Sequence, residues 1–148
     1  QRSRGLGDVY KRQNYDSNKG RAISDNPNVC ASFYWPPLER QVVFKGIAKK
    51  TDNDYSDTYF SSRPYKSQAA AIVSKQSDVI YSYEELTDRY NKLLNENNDS
   101  IFKRPSNWGG IEINIQEIEF WQGRENRLHN RVVCRLVNGK WDIQLLSP

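Results

Sequence analysis

The sequence is poor in the residues that build metal centres and disulfide frameworks, with two cysteines and one histidine in 148 residues. That stock cannot close a four-ligand zinc site, so no metal is expected. Cys30 and Cys134 each sit in an apolar, strand-like run, VCASF and VVCRL, which predicts buried free thiols rather than a disulfide or a metal pair. No apolar run approaches the ~20 residues of a membrane span, and no charged-then-apolar start resembles a leader. The expectation is a cytoplasmic protein without a membrane partner. Internal repeats and low-complexity tracts are absent as well. Even the net charge of +4 is not a true excess of one sign. Residues 1–13 hold Arg2, Arg4, Lys11 and Arg12 against Asp8, or +3, and the other 135 residues hold 18 of the 22 basic and 17 of the 18 acidic side chains. A nucleic-acid surface is therefore not expected. What is present, at 36% hydrophobic content, is enough apolar material for one soluble domain with one core.

Taken in order, Ser17 can cap a short helix running to Asp25, stopped by Asn26-Pro27. Val29–Trp35 and Arg40–Lys49 read as strands paired in a hairpin around Pro36-Pro37. Thr51 or Asp52 can cap a helix to Ser61. Next comes SRPYKS (Ser62 to Ser67), in which Pro64 sets a bend and Ser67 is the expected N-cap of a helix from Gln68 to Lys75. A helix start with Arg63 beside it offers free N–H groups, a positive dipole end and a guanidinium, the makings of a phosphate pocket. Ser82 and Glu85 form a capping box for a helix from Tyr83 to Asn95, with Leu86, Tyr90, Leu93 and Leu94 as its core stripe. A loop is expected over 95–105, and Trp108 reads as a core or interface residue. Ile111, Ile113 and Ile115 share one strand face, but Ile118 and Phe120 have the opposite parity, which predicts a bulge or short turn at Gln116-Glu117. Val132–Val137, Asn138-Gly139 and Lys140–Leu146 make a terminal hairpin.

The most informative stretch is IEFWQGRENRLHNR, Ile118 to Arg131. It opens as a strand, passes through a polar loop, and ends with Arg127, His129 and Arg131. If that last run is extended, the three side chains share a face. Two guanidiniums and an imidazole beside an indole suit a planar, anionic, titratable ligand: Arg forks bind phosphate or carboxylate, Trp stacks, and His changes charge near neutral pH.

This string resembles the C-terminal signature of the pyridoxamine (pyridoxine) 5′-phosphate oxidases: aliphatic-Glu-aromatic-Trp, a short polar loop, then Arg-aliphatic-His-acid/amide-Arg. The resemblance continues through DNPNV (Asp25 to Val29), LERQV (Leu38 to Val42), SRPYKSQ (Ser62 to Gln68) and VSKQS (Val73 to Ser77), and covers 14–148. It implies a mainly β fold with inserted helices, the FMN-binding split β-barrel, in a homodimer with two equivalent sites at the subunit interface. The implied reaction is oxidation of pyridoxamine 5′-phosphate or pyridoxine 5′-phosphate to pyridoxal 5′-phosphate, with hydride passing to flavin and dioxygen leaving as hydrogen peroxide. By the same resemblance Arg127 and His129 are catalytic, and the substrate is bound by Tyr59, Arg63, Ser67, Arg127, Leu128 and His129. The implied FMN contacts are Lys19, Gln41, Gln76, Ser77, Trp121 and Arg131, with Gln76 and Ser77 reaching the flavin of the partner subunit. Asn18 departs from the family's usual Arg, which weakens one expected phosphate contact.

Residues 1–13, QRSRGLGDVYKRQ, lack apolar periodicity and an initiating Met, and they match nothing in that pattern, where an Arg-to-Lys strand block is expected. We read them as unrelated sequence joined to a truncated coding region and leave them outside the fold. The barrel is then expected to lack its first strands, with activity of this shortened chain an open question. The rival classes are a flavin- or pyridoxal-phosphate-binding split-barrel protein without turnover, or an inactive fragment.

Overall fold

A computed structural model describes residues 8–97 and 102–148, with side chains from residue 14 onward. The first seven residues of the excluded tract, and 98–101 of the expected loop, lie outside the described residues. In chain order the elements are β1 (Asp8–Asn14), α1 (Asn18–Asp25), β2 (Asn28–Trp35), β3 (Arg40–Lys50), α2 (Asn53–Ser61), α3 (Tyr65–Val73), α4 (Tyr83–Asn97), β4 (Trp108–Gln122), β5 (Asn130–Val137) and β6 (Lys140–Leu146). Strand order is β2-β3-β4-β5-β6, with β1 paired to β4. The pairs β2/β3, β4/β5 and β5/β6 are antiparallel. This is the mainly β architecture with inserted helices that the sequence predicts. One difference comes at its start: residues 8–13, set aside on sequence grounds, supply most of β1.

The chain forms two compact units. One contains Asn26–Lys49 and Ile113–Pro148; the other contains Tyr10–Asp25 and Lys50–Glu112.

In the first unit, a single 3-10 turn over Pro36–Leu38 and a left-handed Glu39 (φ 48°) close the β2/β3 hairpin, so Trp35 faces Arg40 in the register. At Gly46, β3 runs so close to β4 that a Cβ would stand 2.2 Å from the Asn114 carbonyl oxygen. Ala48, Ile113, Ile115, Ile118 and Val133 are its buried apolar residues. Of the bulge or short turn expected at Gln116-Glu117, no turn interrupts β4. The strand stays continuous while its buried positions shift from odd (Ile113, Ile115) to even (Ile118) numbers, the change of face that predicts the bulge. Asn138 (φ 51°) and Gly139 (φ 76°) turn β5 into β6, the positive-φ pair that a two-residue hairpin needs. β6 leaves an apolar row uncovered, with Trp141 37%, Ile143 66% and Leu145 83% exposed. Both thiols are free, as expected, but Cys30 is exposed and Cys134 only half-buried. Burial fails for Cys30 because β2 ends the strand order.

In the second unit, Ser17 Oγ accepts from Gly20 N–H and Asp52 Oδ1 from Tyr55 N–H, so α1 and α2 start where their caps predict. Ser82 Oγ likewise accepts from Glu85 N–H at the start of α4. Phe60, Ala69, Phe102 and Trp108 form the core, with Tyr59, Tyr65, Ile72, Tyr90, Leu93 and Leu94 packed against it. Val79 and Tyr81, between α3 and α4, and Tyr83, the first residue of α4, are 97%, 98% and 80% exposed. No described helix is long and apolar enough to cross a membrane.

Candidate functional site

The predicted site residues fall in both units: Gln41, Trp121, Arg127, Leu128, His129 and Arg131 in the first, Lys19, Tyr59, Arg63, Ser67, Gln76 and Ser77 in the second.

In the first unit the β4/β5 register sets Trp121 opposite Arg131 and Gln122 opposite Asn130. The connection between these strands departs from the extended run that would align Arg127, His129 and Arg131. Residues Glu125–Arg127 form a 3-10 turn in which Asn126 and Arg127 take left-handed angles, φ 55° and 60°. Only Arg131 of the three lies in β5. The turn points the exposed Arg127 and Leu128 away from strand periodicity and folds His129 back. Its ring centroid lies 4.8 Å from that of Trp121, with the planes inclined by 44°. His129 Nδ1 accepts from Arg124 N–H at 3.1 Å. A neutral imidazole with Nδ1 as acceptor carries its proton on Nε2 and presents a donor outward.

Arg131 donates from Nε to Glu119 Oε1 at 2.7 Å and from Nη1 to the Ser147 carbonyl at 3.1 Å. The Glu119 hydrogen bond and charge hold this guanidinium above its ordinary pKa. Gln122 ties the connection to the β2/β3 hairpin: Oε1 accepts from Arg40 Nε at 2.6 Å, and Nε2 donates to the Leu38 carbonyl at 3.1 Å. Gly123 N–H donates to the Glu39 carbonyl at 2.7 Å, and a Cβ at Gly123 would meet Glu39 Cβ at 2.8 Å and the Trp121 ring at 3.1 Å. A glycine is therefore required there. Beside these residues opens a cleft of about 610 Å³, walled by Trp35, Leu38, Val42 and Phe120 with Gln41, Trp121 and Arg124 at its polar points. Gln41 donates from Nε2 to Ser32 Oγ at 2.8 Å, which directs its amide along the hairpin.

A ladder of charge crosses the same unit. Glu117 accepts from Lys45 Nζ and Arg135 Nε, each at 2.7 Å. Both cations pull the Glu117 carboxyl below its ordinary pKa, and Glu117 raises that of Lys45.

In the second unit, α3 begins at Tyr65, so Ser67 lies in its first turn rather than at the N-cap. Pro64, which cannot donate, occupies the cap, and its carbonyl accepts from Ser67 and Gln68 N–H. Arg63 precedes this helix start, with its guanidinium carbon 4.8 Å from the Trp108 ring centroid. Tyr59 stacks on the same indole at 6.1 Å. The structure thus brings Tyr59 and Arg63 together around Trp108, next to the turn that holds Ser67. Gln76 accepts at Oε1 from Asn14 N–H at 3.2 Å, Ser77 takes φ 75°, and Lys19 is exposed in the first turn of α1. Among the described residues no group of three or more His, Cys, Asp or Glu is placed to hold a metal.

Sequence reasoning overlooks Arg124, Glu119, Gln122 and Gln68. Glu119 leaves a signal, as an acid two residues before Trp121 on the same strand face. Arg124 leaves none, because it acts through its backbone N–H.

Comparison with solved structures first identifies the class. The fold matches PhzG from Burkholderia lata 383, solved with tetrahydrophenazine-1-carboxylic acid, at a TM-score of 0.88 and 24% identity, over 99% of this chain and 72% of that one. It also matches a pyridoxamine 5′-phosphate oxidase-related, FMN-binding protein of Nostoc punctiforme at 0.72 and 11% identity, over 95% and 73%. The fold is the split β-barrel of such proteins.

Two family regions cover the chain: "Pyridoxamine 5′-phosphate oxidase" over residues 7–122 and "Pyridoxine 5′-phosphate oxidase C-terminal dimerisation region" over 108–148. The chain belongs to the pyridoxamine 5′-phosphate oxidase family. Relatives named pyridoxine/pyridoxamine 5′-phosphate oxidase include those of Flavobacterium psychrophilum, 49% identical over 136 residues, and Legionella pneumophila strain Lens, 47% identical over 135. Each alignment takes in 91% of this chain but only 64% and 63% of the respective relative.

Proposed function

We propose that the protein carrying this chain is an FMN-dependent oxidase that converts pyridoxamine 5′-phosphate or pyridoxine 5′-phosphate to pyridoxal 5′-phosphate, with dioxygen reduced to hydrogen peroxide. The observation that carries the reading is the Trp121–His129 pair beside Arg131 and the left-handed Arg127, inside a chain that matches the family along nearly its whole length.

The donor set fits FMN. In the first unit Trp121 and the apolar walls of the cleft offer a plane for an aromatic ring, Gln41 an amide for its polar edge, and Arg131 a guanidinium beside Trp121. In the second, Lys19 is a cation assigned to the flavin phosphate. Gln76 and Ser77 are assigned to the same cofactor from the partner subunit. FMN, when bound, supplies the two-electron acceptor that these side chains lack. The remaining work belongs to the chain. Arg63 and the start of α3 hold the substrate phosphate, joined by Tyr59 and Ser67. Arg127 orients the ring and supplies electrostatic stabilisation near the reacting carbon. Leu128 covers it, and His129 presents its Nε2–H to the substrate ring.

The protein acts as a homodimer in this reading. The apolar row on β6 lies within the stretch matching the dimerisation region and is open in a single copy. The free thiols suit a reducing cytoplasm.

The test adds FMN and pyridoxine 5′-phosphate to the purified protein and measures flavin retention and peroxide release. Flavin retention with peroxide release supports the proposal. Flavin retention without peroxide favours the non-catalytic binding class, and failure to retain flavin overturns the proposal.

A further inference from the structure

The guanidinium of Arg63 is held at one end in a way that phosphate recognition alone does not explain. Its Nη1 is buried without a hydrogen-bond partner, while its carbon stands 4.8 Å from the centroid of Trp108 and 5.9 Å from that of Phe60. An unpaired charged nitrogen in a low-dielectric interior is costly unless something else compensates it. Here the negative π face of an indole does so. Trp108 is itself immobilised. Tyr59 stacks on it with planes 4° apart, Phe60 meets it edge-on at 5.2 Å, and Arg104, paired with Asp57, donates to its carbonyl.

The backbone under Arg63 is held separately. Gln68, 4% exposed, donates from Nε2 to the Arg63 carbonyl at 2.9 Å and to the Ser61 carbonyl at 3.3 Å. Turning the amide over would set its oxygen against two carbonyl oxygens, so the orientation is determined by its partners. Its Oε1 is left buried and unpartnered, which costs stability. A buried amide retained at that cost indicates that the two bonds from its nitrogen matter.

We propose that Gln68 and Trp108 are positioning residues for Arg63. Trp108 seats one end of the guanidinium and Gln68 clamps the Ser61–Arg63 turn, so the outer edge of the fork meets a phosphate ester already oriented. The proposal rests on the assignment of Arg63 to the substrate phosphate. Little side-chain entropy is then lost when the ester binds, because the guanidinium is fixed beforehand. Neither residue touches the ligand.

The experiment compares binding of pyridoxine 5′-phosphate and of unphosphorylated pyridoxine to the full chain and to Arg63→Ala, Gln68→Met, Trp108→Leu and Trp108→Phe. Folding of each variant is checked by circular dichroism. Gln68→Met and Trp108→Leu should each weaken the phosphate ester about tenfold and leave pyridoxine unchanged, and Trp108→Phe, which keeps a π face, should recover most of the loss. Equal losses for both ligands, or folded Gln68→Met and Trp108→Phe variants that bind the ester normally while Trp108→Leu does too, overturn the positioning role. If Arg63→Ala itself leaves the preference for the ester intact, the phosphate assignment fails and the clamp falls with it. Should Trp108→Leu fail to fold, Trp108→Phe and Gln68→Met carry the decision. In that case an ester affinity for Gln68→Met equal to that of the unmodified chain overturns the proposal.

Discussion

His129 leans on Trp121 with 4.8 Å between ring centroids and takes a hydrogen bond at Nδ1 from the Arg124 backbone. The two contacts fix both the plane of the imidazole and its tautomer. Because His129 is the chain's one histidine, its ring nitrogens can be followed without assignment ambiguity. Long-range 15N–1H correlation should show the neutral ring protonated at Nε2 and bare at Nδ1. A dominant Nδ1–H form would remove the donor role given to His129.

Arg127 sits at φ 60°, where a side chain costs roughly 1 kcal/mol relative to glycine. Arg127→Gly should therefore melt no lower than the unmodified protein, while its affinity for pyridoxine 5′-phosphate drops at least about tenfold. Thermal melting and ligand titration on the same sample check both halves. A large loss of stability would mean that the guanidinium holds the fold rather than the ligand.

Glu117 links stability to pH. Its carboxyl is pulled below the ordinary value of 4.5 by Lys45 and Arg135, so the folded state favours the ionised form. The resulting stability is fully present above that ordinary value and is lost as pH falls through the lower folded value. Lys45, shifted upward from 10.5, remains charged throughout this window. Glu117→Gln should cost about 1 kcal/mol near pH 7, with the gap to the unmodified protein closing under acid conditions. Urea titrations at several pH values provide the measurement, and a pH-independent gap would refute the linkage.

The row of Trp141, Ile143 and Leu145 on β6 is open in one copy. Charged replacements there, Ile143→Lys with Leu145→Asp, should shift a dimer to monomers in sedimentation velocity without lowering the helix and strand content seen by circular dichroism. Unchanged sedimentation would exclude this row from the interface.

Local signals in the sequence were enough for most of the architecture. Ser17, Asp52 and Ser82 mark helix starts, Asn138-Gly139 marks a hairpin, runs of β-forming residues mark β2, β3 and β5, and the alternation of Trp141, Ile143 and Leu145 marks β6. The errors arise where a residue answers to something distant. Ser67 looks like a cap, but Pro64, three positions beyond the end of α2, takes the cap and α3 begins at Tyr65. Cys30 lies in an apolar run, yet its strand is at the end of the order and leaves it exposed. Arg127, His129 and Arg131 alternate as if extended, and no periodicity could reveal that Asn126 and Arg127 take left-handed angles. The backbone donor of Arg124 and the clamp of Gln68 likewise depend on geometry that a string of letters does not carry.

Val79, Tyr81 and Tyr83 stand almost wholly in solvent, so a chymotrypsin-like protease would reach the backbone there early. Each compact unit is sewn from stretches on both sides of that point. A nicked molecule would therefore run as two pieces on a denaturing gel yet elute as one body from a sizing column, its halves held together without a covalent link.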